Sequence, residues 1–363
     1  MIQSRLARVR RLMHTERADA FFVFNNEESG QPGTRYLSGF SGSASVLAVT
    51  RRICFLMTDG RYFEQVALEA PGVILVRLGE QPVGEWISNL AKKEHWKRVL
   101  VDGIVTSAAD FALLKKRLRG VNISVAPGFL QQIRTVKETD EVKNIGRAAK
   151  IAAGAFHKFL KTIKIGETEK LLAARLDFFM KECGAERIAF DTIVASGANG
   201  ARPHAQPTDK KIKKGEFITF DFGAVYHGYA CDITRTAALG RISPALRSLY
   251  EAVRAAQRAG CLAARAGITG AALDEVCRAV LREHGYEDYF LHSTGHGLGM
   301  EVHELPIVSR ANSKKLPAGS VITCEPGVYV AGLGGVRIED DLALTKTGAK
   351  NLTRMITTDL ITI

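Results

Sequence analysis

Two copies of one strand pattern each bear an acid, and each is followed by another. Gly215-Glu216-Phe217-Ile218-Thr219-Phe220-Asp221-Phe222-Gly223 matches Gly319-Ser320-Val321-Ile322-Thr323-Cys324-Glu325-Pro326-Gly327, every position lying 104 residues on. Asp221 and Glu325 are therefore equivalent, and a further acid follows each, Asp232 after the first copy and Glu339 after the second. A strand shows alternate residues to opposite faces, so in Phe220-Asp221-Phe222 and Cys324-Glu325-Pro326 the acid points away from its neighbours. A carboxylate on a buried strand face is costly unless it is paired or binds a metal, and four that converge repel one another. One or two divalent cations beneath them relieve this, since oxygen ligands plus imidazole suit Mn, Co, Fe or Zn in two-metal hydrolytic sites.

The imidazole comes from His292-Ser293-Thr294-Gly295-His296-Gly297-Leu298-Gly299-Met300-Glu301-Val302-His303-Glu304. Gly295, Gly297 and Gly299 allow close backbone approach, which makes His296 the best ligand candidate, held in a tight, exposed position. His292 and His303 are better placed to hydrogen-bond a substrate or a developing oxyanion. The three alternating glycines lack the GxGxxG spacing and the strand-to-helix context of a dinucleotide loop. Arg337, two residues before Glu339, shares its strand face and can pair with a carboxylate. His204 lies in the proline-rich loop Arg202-Pro203-His204-Ala205-Gln206-Pro207. Taken singly, Asp221 or Glu325 also reads as a buried ion-pair partner, and His204 or His303 as an ordinary polar residue. Cys231 and Cys324 adjoin proposed ligands but face the other way and read as core thiols.

The elements that must position these residues follow from length and pattern. With 363 residues, 46% hydrophobic and 24% charged, the chain has room for two domains and a large core. Disorder, collagen and a disulfide scaffold are excluded. Up to about residue 130, short apolar runs such as Ala20 to Phe24, Val46 to Val49, Ile53 to Met57 and Val73 to Val76 alternate with helical stretches such as Asp110 to Leu118. This is an α/β domain, 1–130. The pattern breaks near Ala126-Pro127-Gly128, and a long helix is expected to open with Thr139 as N-cap and Asp140 and Glu141 in its first turn. A second domain, 131–363, follows. Each repeat copy there comes after two helical stretches, 139–163 and 168–183 in the first half, 245–265 and 271–285 in the second. Two helix-helix-hairpin halves about a pseudo-twofold axis would bring four carboxylates to its centre.

The net charge of +12 favours anionic surfaces. Its basic runs, 92–98, 115–119 and 210–214, lack the aromatic interleaving of a base-stacking platform and read as solvated faces, so nucleic acid is not expected as a partner. The six cysteines form no CxxC pair and read as reduced thiols of a cytoplasmic protein. No run approaches the roughly 18 apolar residues of a membrane span, and the N-terminal stretch is a helix, with Ile2, Leu6, Val9 and Met13 at helical spacing, rather than a secretion signal.

Together these residues resemble the pita-bread metallopeptidases, specifically the branch containing Xaa-Pro dipeptidase (prolidase), Xaa-Pro aminopeptidase and creatinase. The likeness spans almost the whole chain. The family's metal ligands run Asp, Asp, His, Glu, Glu, and here they fall on Asp221 in Phe-Asp-Phe-Gly, Asp232 in Cys-Asp-Ile-Thr-Arg, His296 in Gly-His-Gly-Leu-Gly, Glu325 in Glu-Pro-Gly-Val-Tyr and Glu339 in Arg-Ile-Glu-Asp. Asp341 shares the face of Glu339 and is a local alternative, but the motif matches at Glu339. The branch's auxiliary histidines match His204, His292 and His303, and its active-site arginine matches Arg337. Tyr36-Leu37-Ser38-Gly39-Phe40-Ser41-Gly42-Ser43 and Thr58-Asp59-Gly60-Arg61-Tyr62 resemble segments of bacterial Xaa-Pro peptidases, a first domain that methionine aminopeptidase lacks.

The resemblance implies an α/β N-terminal domain of the creatinase/prolidase type, ribonuclease-H-like, followed by an α+β pita-bread domain with an internal pseudo-twofold repeat. It implies two divalent cations per subunit, Mn ahead of Co, Zn or Fe, bridged by Asp232 and Glu339, with Asp221 on one and His296 and Glu325 on the other. Glu325 would carry a proton from water to the leaving proline nitrogen, and His303 or His292 would stabilise the tetrahedral intermediate. The expected substrate is a proline-containing di- or oligopeptide, cleaved by a homodimer at the Xaa-Pro bond. The modest length inclines the reading to the dipeptidase; Xaa-Pro aminopeptidase is the alternative, with a creatinase-like amidinohydrolase or a non-catalytic binding protein more remote.

Overall fold

The computed structural model describes residues 2–27, 32–79 and 82–363. Contacts divide the chain into two units, Met1–Ile133 and Arg134–Ile363. The first is built on a six-stranded mixed sheet. Its strands are β1 (Ala20–Asn25), β2 (Ser45–Thr50), β3 (Cys54–Thr58), β4 (Ile74–Arg77), β5 (Arg98–Val101) and β6 (Asn122–Val125), in the order β4-β3-β2-β1-β5-β6. β1 runs antiparallel to β2 and parallel to β5. A strand buried on both faces reads as a continuous apolar run, and all six residues of β1 are buried. Ala20, Phe22 and Phe24 join Trp86 and Trp96 in one core, while Phe21 meets the edge of Phe129 at 5.7 Å. The N-terminal helix Ile2–Thr15 buries Leu6, Val9 and Met13. Among the described residues, no helix is long and apolar enough to cross a membrane.

The second unit holds the repeat. Helices Thr139–Leu160 and Glu169–Glu182 share a core with strands Phe217–Phe222 and Ile233–Ala238. Helices Pro244–Ala263 and Gly270–Glu283 do the same with Val321–Cys324 and Asp340–Leu344. The duplication extends to details that no apolar pattern reveals. Thr168 and Thr269 cap the second helix of each pair through their hydroxyls, and form lone bridges to Lys211 and Lys315 respectively.

Two local expectations are corrected. The long helix begins one residue earlier than expected, with Glu138 as N-cap. Its side chain accepts from the backbone of Glu141, whose own carboxylate accepts from the Glu138 N–H at 2.9 Å, and this reciprocal pairing outcompetes the Thr139 hydroxyl. Arg337 and Glu339 do not share a strand, because Gly334–Arg337 ends at the arginine and the next strand opens at Asp340.

The apolar flanks of the two repeated acids are treated differently. Phe220 and Phe222 are fully buried beneath Asp221, and Phe156 stacks on Phe222 at 4.9 Å and meets Phe220 edge-on at 5.6 Å. In the other half Gly260 faces sulfur, and a methyl group there would lie 2.6 Å from Cys277 Sγ and 2.7 Å from Cys324 Sγ. Glu325 itself sits one residue past the end of its strand.

Candidate metal centre

The acids of both halves converge. Asp232, His296 and Glu339 each bring one ligand atom into a group whose members lie within 4.8 Å of one another. His296 Nε2 stands 3.2 Å from Glu325 Oε1 and 3.7 Å from Asp232 Oδ2. Asp221 enters through Arg337, whose Nη2 lies 2.5 Å from Asp221 Oδ2. His296 is half-buried rather than exposed, because the flanking Gly295 and Gly297 lie directly against the backbone of Thr323 and Leu305. A side chain at either glycine would clash. The His296 Nδ1 lies 3.1 Å from Gly297 O, a contact that turns Nε2 towards the acids.

Electrostatics make this cluster costly without a cation. Burial raises the carboxyls of Asp221, Asp232, Glu339 and Asp341, with further elevation of Asp232 by Glu339 and Asp221, while Arg337 pulls Asp221 partly back. Glu325 is the exception. Burial pushes it up, yet its hydrogen bond to His296 and the charge of that ring hold it at about 2. The His296 ring is correspondingly raised, Glu325 outweighing the effect of burial. Asp221 Oδ1 and Glu339 Oε1 are buried with no hydrogen-bond partner. Orphaned carboxylate oxygens converging with an imidazole nitrogen fit a hard-to-borderline divalent cation.

Asp341 is fully buried and accepts the Asp232 N–H at 3.1 Å. It thus binds the backbone of a member of the group, while Glu339, itself in the group, accepts from Thr234 Oγ1 at 2.6 Å through Oε2. The three auxiliary histidines differ. His292 is half-buried, and both its ring nitrogens are engaged: Nδ1 with Ser293 O and Nε2 with Tyr329 Oη, each at 2.9 Å. A carbonyl only accepts, so Nδ1 carries the proton and Tyr329 donates to Nε2 while accepting from Arg337 Nη1 at 2.7 Å. Burial lowers the His292 pKa, which keeps the ring neutral. His303 is exposed, with its ring 4.3 Å from that of His296. His204 is exposed in a turn and joins no hydrogen-bonded group among the described residues.

Tyr329 and Thr234 belong to the site and carried no role in the sequence reading, although both lie inside its motifs. Only the hairpin register reveals Tyr329: Gly327 pairs with Arg337 and Tyr329 with Gly335, so the tyrosine and the arginine lie two positions apart across the hairpin. Gly327 must lack a side chain here: a Cβ would lie 2.4 Å from Tyr329 Oη and 3.0 Å from His292 Nε2.

Residues 143–346 match the model of Metallopeptidase family M24, and residues 5–136 that of the Creatinase/Prolidase N-terminal domain. An uncharacterized peptidase of Bacillus subtilis, YqhT, is 36% identical over 349 residues, which is 96% of this chain and 97% of that protein. An Xaa-Pro dipeptidase from Bacillus anthracis superimposes with TM-score 0.94 at 33% identity, covering 100% of both chains. An X-Pro aminopeptidase from Thermotoga maritima does so with TM-score 0.91 at 35% identity, over 96% of this chain and 100% of the other.

Proposed function

The chain belongs to metallopeptidase family M24, and from that premise we propose that it hydrolyses the Xaa-Pro peptide bond as an Xaa-Pro dipeptidase, with two divalent metal ions, Mn(II) foremost, in each subunit. The observation that carries this is the convergence of Asp232, His296 and Glu339, with Glu325 beside His296 and with carboxylate oxygens of Asp221 and Glu339 left unpartnered. Asp221, Asp232, His296, Glu325 and Glu339 would hold the metals. Bound there, the cations would lower the pKa of a water towards about 7 and polarise the scissile carbonyl.

The remaining roles fall to the chain's own groups. Glu325, 3.2 Å from His296 Nε2, accepts a proton from the attacking water, then passes it to the leaving proline nitrogen. That nitrogen carries no N–H in the substrate, so it must gain one to leave. His303, exposed beside His296, hydrogen-bonds the oxygen on which charge develops. His292, with both nitrogens occupied, holds Tyr329 and through it Arg337, which orients Asp221. His204, exposed in its turn, would act as an auxiliary histidine towards substrate.

The structural likeness to an X-Pro aminopeptidase favours a second reading, release of the N-terminal residue from longer peptides. The test is proline release from an Xaa-Pro dipeptide beside N-terminal residue release from an Xaa-Pro-Xaa tripeptide, after loading with Mn(II). Dipeptide cleavage alone supports the dipeptidase; tripeptide cleavage supports the aminopeptidase. If metal binds and neither peptide is cut with Mn, Co or Zn, the peptidase reading fails, and the creatinase-like or binding-protein readings take its place. A homodimer and a cytoplasmic location complete the proposal, the six unpaired cysteines supporting the latter. Sedimentation and metal analysis test the subunit and metal counts.

A further inference from the structure

Glu304 follows His303 and is buried among charges that take no part in the metal cluster. Its carboxylate meets Arg134 Nη2 at 2.9 Å and Lys137 Nζ at 3.0 Å, with side-chain exposures of 3% for Arg134 and 1% for both Glu304 and Lys137. Arg134 also reaches Glu301. Glu304 Oε1 accepts the Glu301 N–H at 3.1 Å, closing the segment 301–304 on itself. The same carboxylate fills the space beside Gly299, where a Cβ would lie 2.6 Å from it. One acid thus ties both ends of the loop bearing His303 to a short segment just ahead of the long helix. Lys137 is itself fixed, its N–H donating to Gly319 O at 2.9 Å.

Such a cluster is an expensive way to fill a core, since apolar residues of like volume are often as stable or more so. What charges supply instead is direction. The loops of His204 and His292 also hang on buried acids. Glu169, fully buried, accepts from Ser196 and Thr208 backbone N–H groups at 2.7 and 3.0 Å, bracketing the loop of His204. Asp274 accepts the Thr294 N–H at 2.9 Å while its partner Arg278 donates to His292 O at 2.7 Å.

We propose that Glu304, clamped between Arg134 and Lys137, is a positioning residue that sets the His303 imidazole over the metal cluster for the reaction. This rests on the role given above to His303. The experiment is a double-mutant cycle of His303→Ala and Glu304→Gln in the Mn-loaded full chain, with kcat and KM measured on an Xaa-Pro dipeptide well below the unfolding temperature. Glu304→Gln is expected to lower kcat about 10- to 100-fold with KM little changed, and to have little further effect once His303 is alanine. The paired variant Glu304→Gln/Lys137→Met, which removes the Lys137 charge with the acid and leaves Arg134 its pair with Glu301, separates folding from positioning: full activity in it overturns the proposal. Additive losses across the cycle also overturn it. If the parent chain cuts no Xaa-Pro peptide, the reading of function fails, and the clamp is then judged by the His303 imidazole resonances. These should shift in Glu304→Gln, and unchanged resonances refute the clamp.

Discussion

Removing the guanidinium of Arg337 tests the electrostatic logic of the site most directly. Arg337→Met keeps an apolar stem of similar length but deletes donors to Asp221 at 2.5 Å, Tyr329 at 2.7 Å, Thr234 at 3.0 Å and Pro203 O at 3.1 Å. Charged hydrogen bonds are each worth about 1.5–3 kcal/mol, so four taken additively would rival the whole stability of about 5–15 kcal/mol. They are not additive, because the acceptors share one donor group and Asp221 has an escape, uptake of a proton. The expected loss in metal-free protein at pH 8 is that of one broken buried pair, about 3–5 kcal/mol.

The pH dependence gives the sharper check. Burial already raises the Asp221 carboxyl and Arg337 holds it back, so the variant's folded-state pKa moves further above the unfolded value of about 3.9. A carboxyl with a raised folded pKa costs stability only above its unfolded pKa, and that cost fades as pH falls through the folded value. The difference between parent and variant should therefore be greatest at pH 8 and shrink towards pH 5. Urea unfolding of both metal-free proteins at pH 5, 6, 7 and 8 measures it. A difference under about 1 kcal/mol at pH 8, or one that stays level down to pH 5, refutes the reasoning.

Three further outcomes are expected. Glu325→Gln should lower kcat at least about 100-fold, the ordinary worth of a positioned acid–base group, and unimpaired turnover in steady-state assays would remove Glu325 from its role. Metal loading should release protons and raise the unfolding temperature, since the carboxyls of Asp232 and Glu339 are raised by burial and mutual repulsion and must ionise to bind; calorimetry in two buffers of different ionisation enthalpy reads the proton count, and no release contradicts the assignment. Phe156→Ala should cost about 3–5 kcal/mol, because the ring is fully buried against both flanks of Asp221, and it should weaken metal binding as well. Chemical denaturation and metal titration measure the two effects, and a loss under about 1.5 kcal/mol denies the ring its supporting role.

Much of this protein is legible without coordinates. The duplicated strand identifies Asp221 and Glu325 as equivalents, because two copies of one hairpin need the same alternation of apolar and acidic residues to bury one face. The division into an α/β part and a helix-paired part follows from periodicity, and the triple glycine around His296 announces close backbone packing that Thr323 and Leu305 supply. These features are local, and spacing along the chain encodes them.

What tertiary structure decided is which charge meets which. Arg337 lies two residues from Glu339, yet pairs with Asp221, 116 positions away. Glu304 is next to His303 in sequence, but its partners Arg134 and Lys137 lie 170 and 167 positions away. His292 and His303 are chemically alike in the sequence; only the folded hairpin, by bringing Tyr329 to His292, occupies one ring and leaves the other facing the site. Hydrogen bonds and ion pairs have ranges of a few ångströms and no regard for chain separation, so no periodicity records them. Composition and spacing determine the kinds of groups that assemble, and their pairing exists only in the fold.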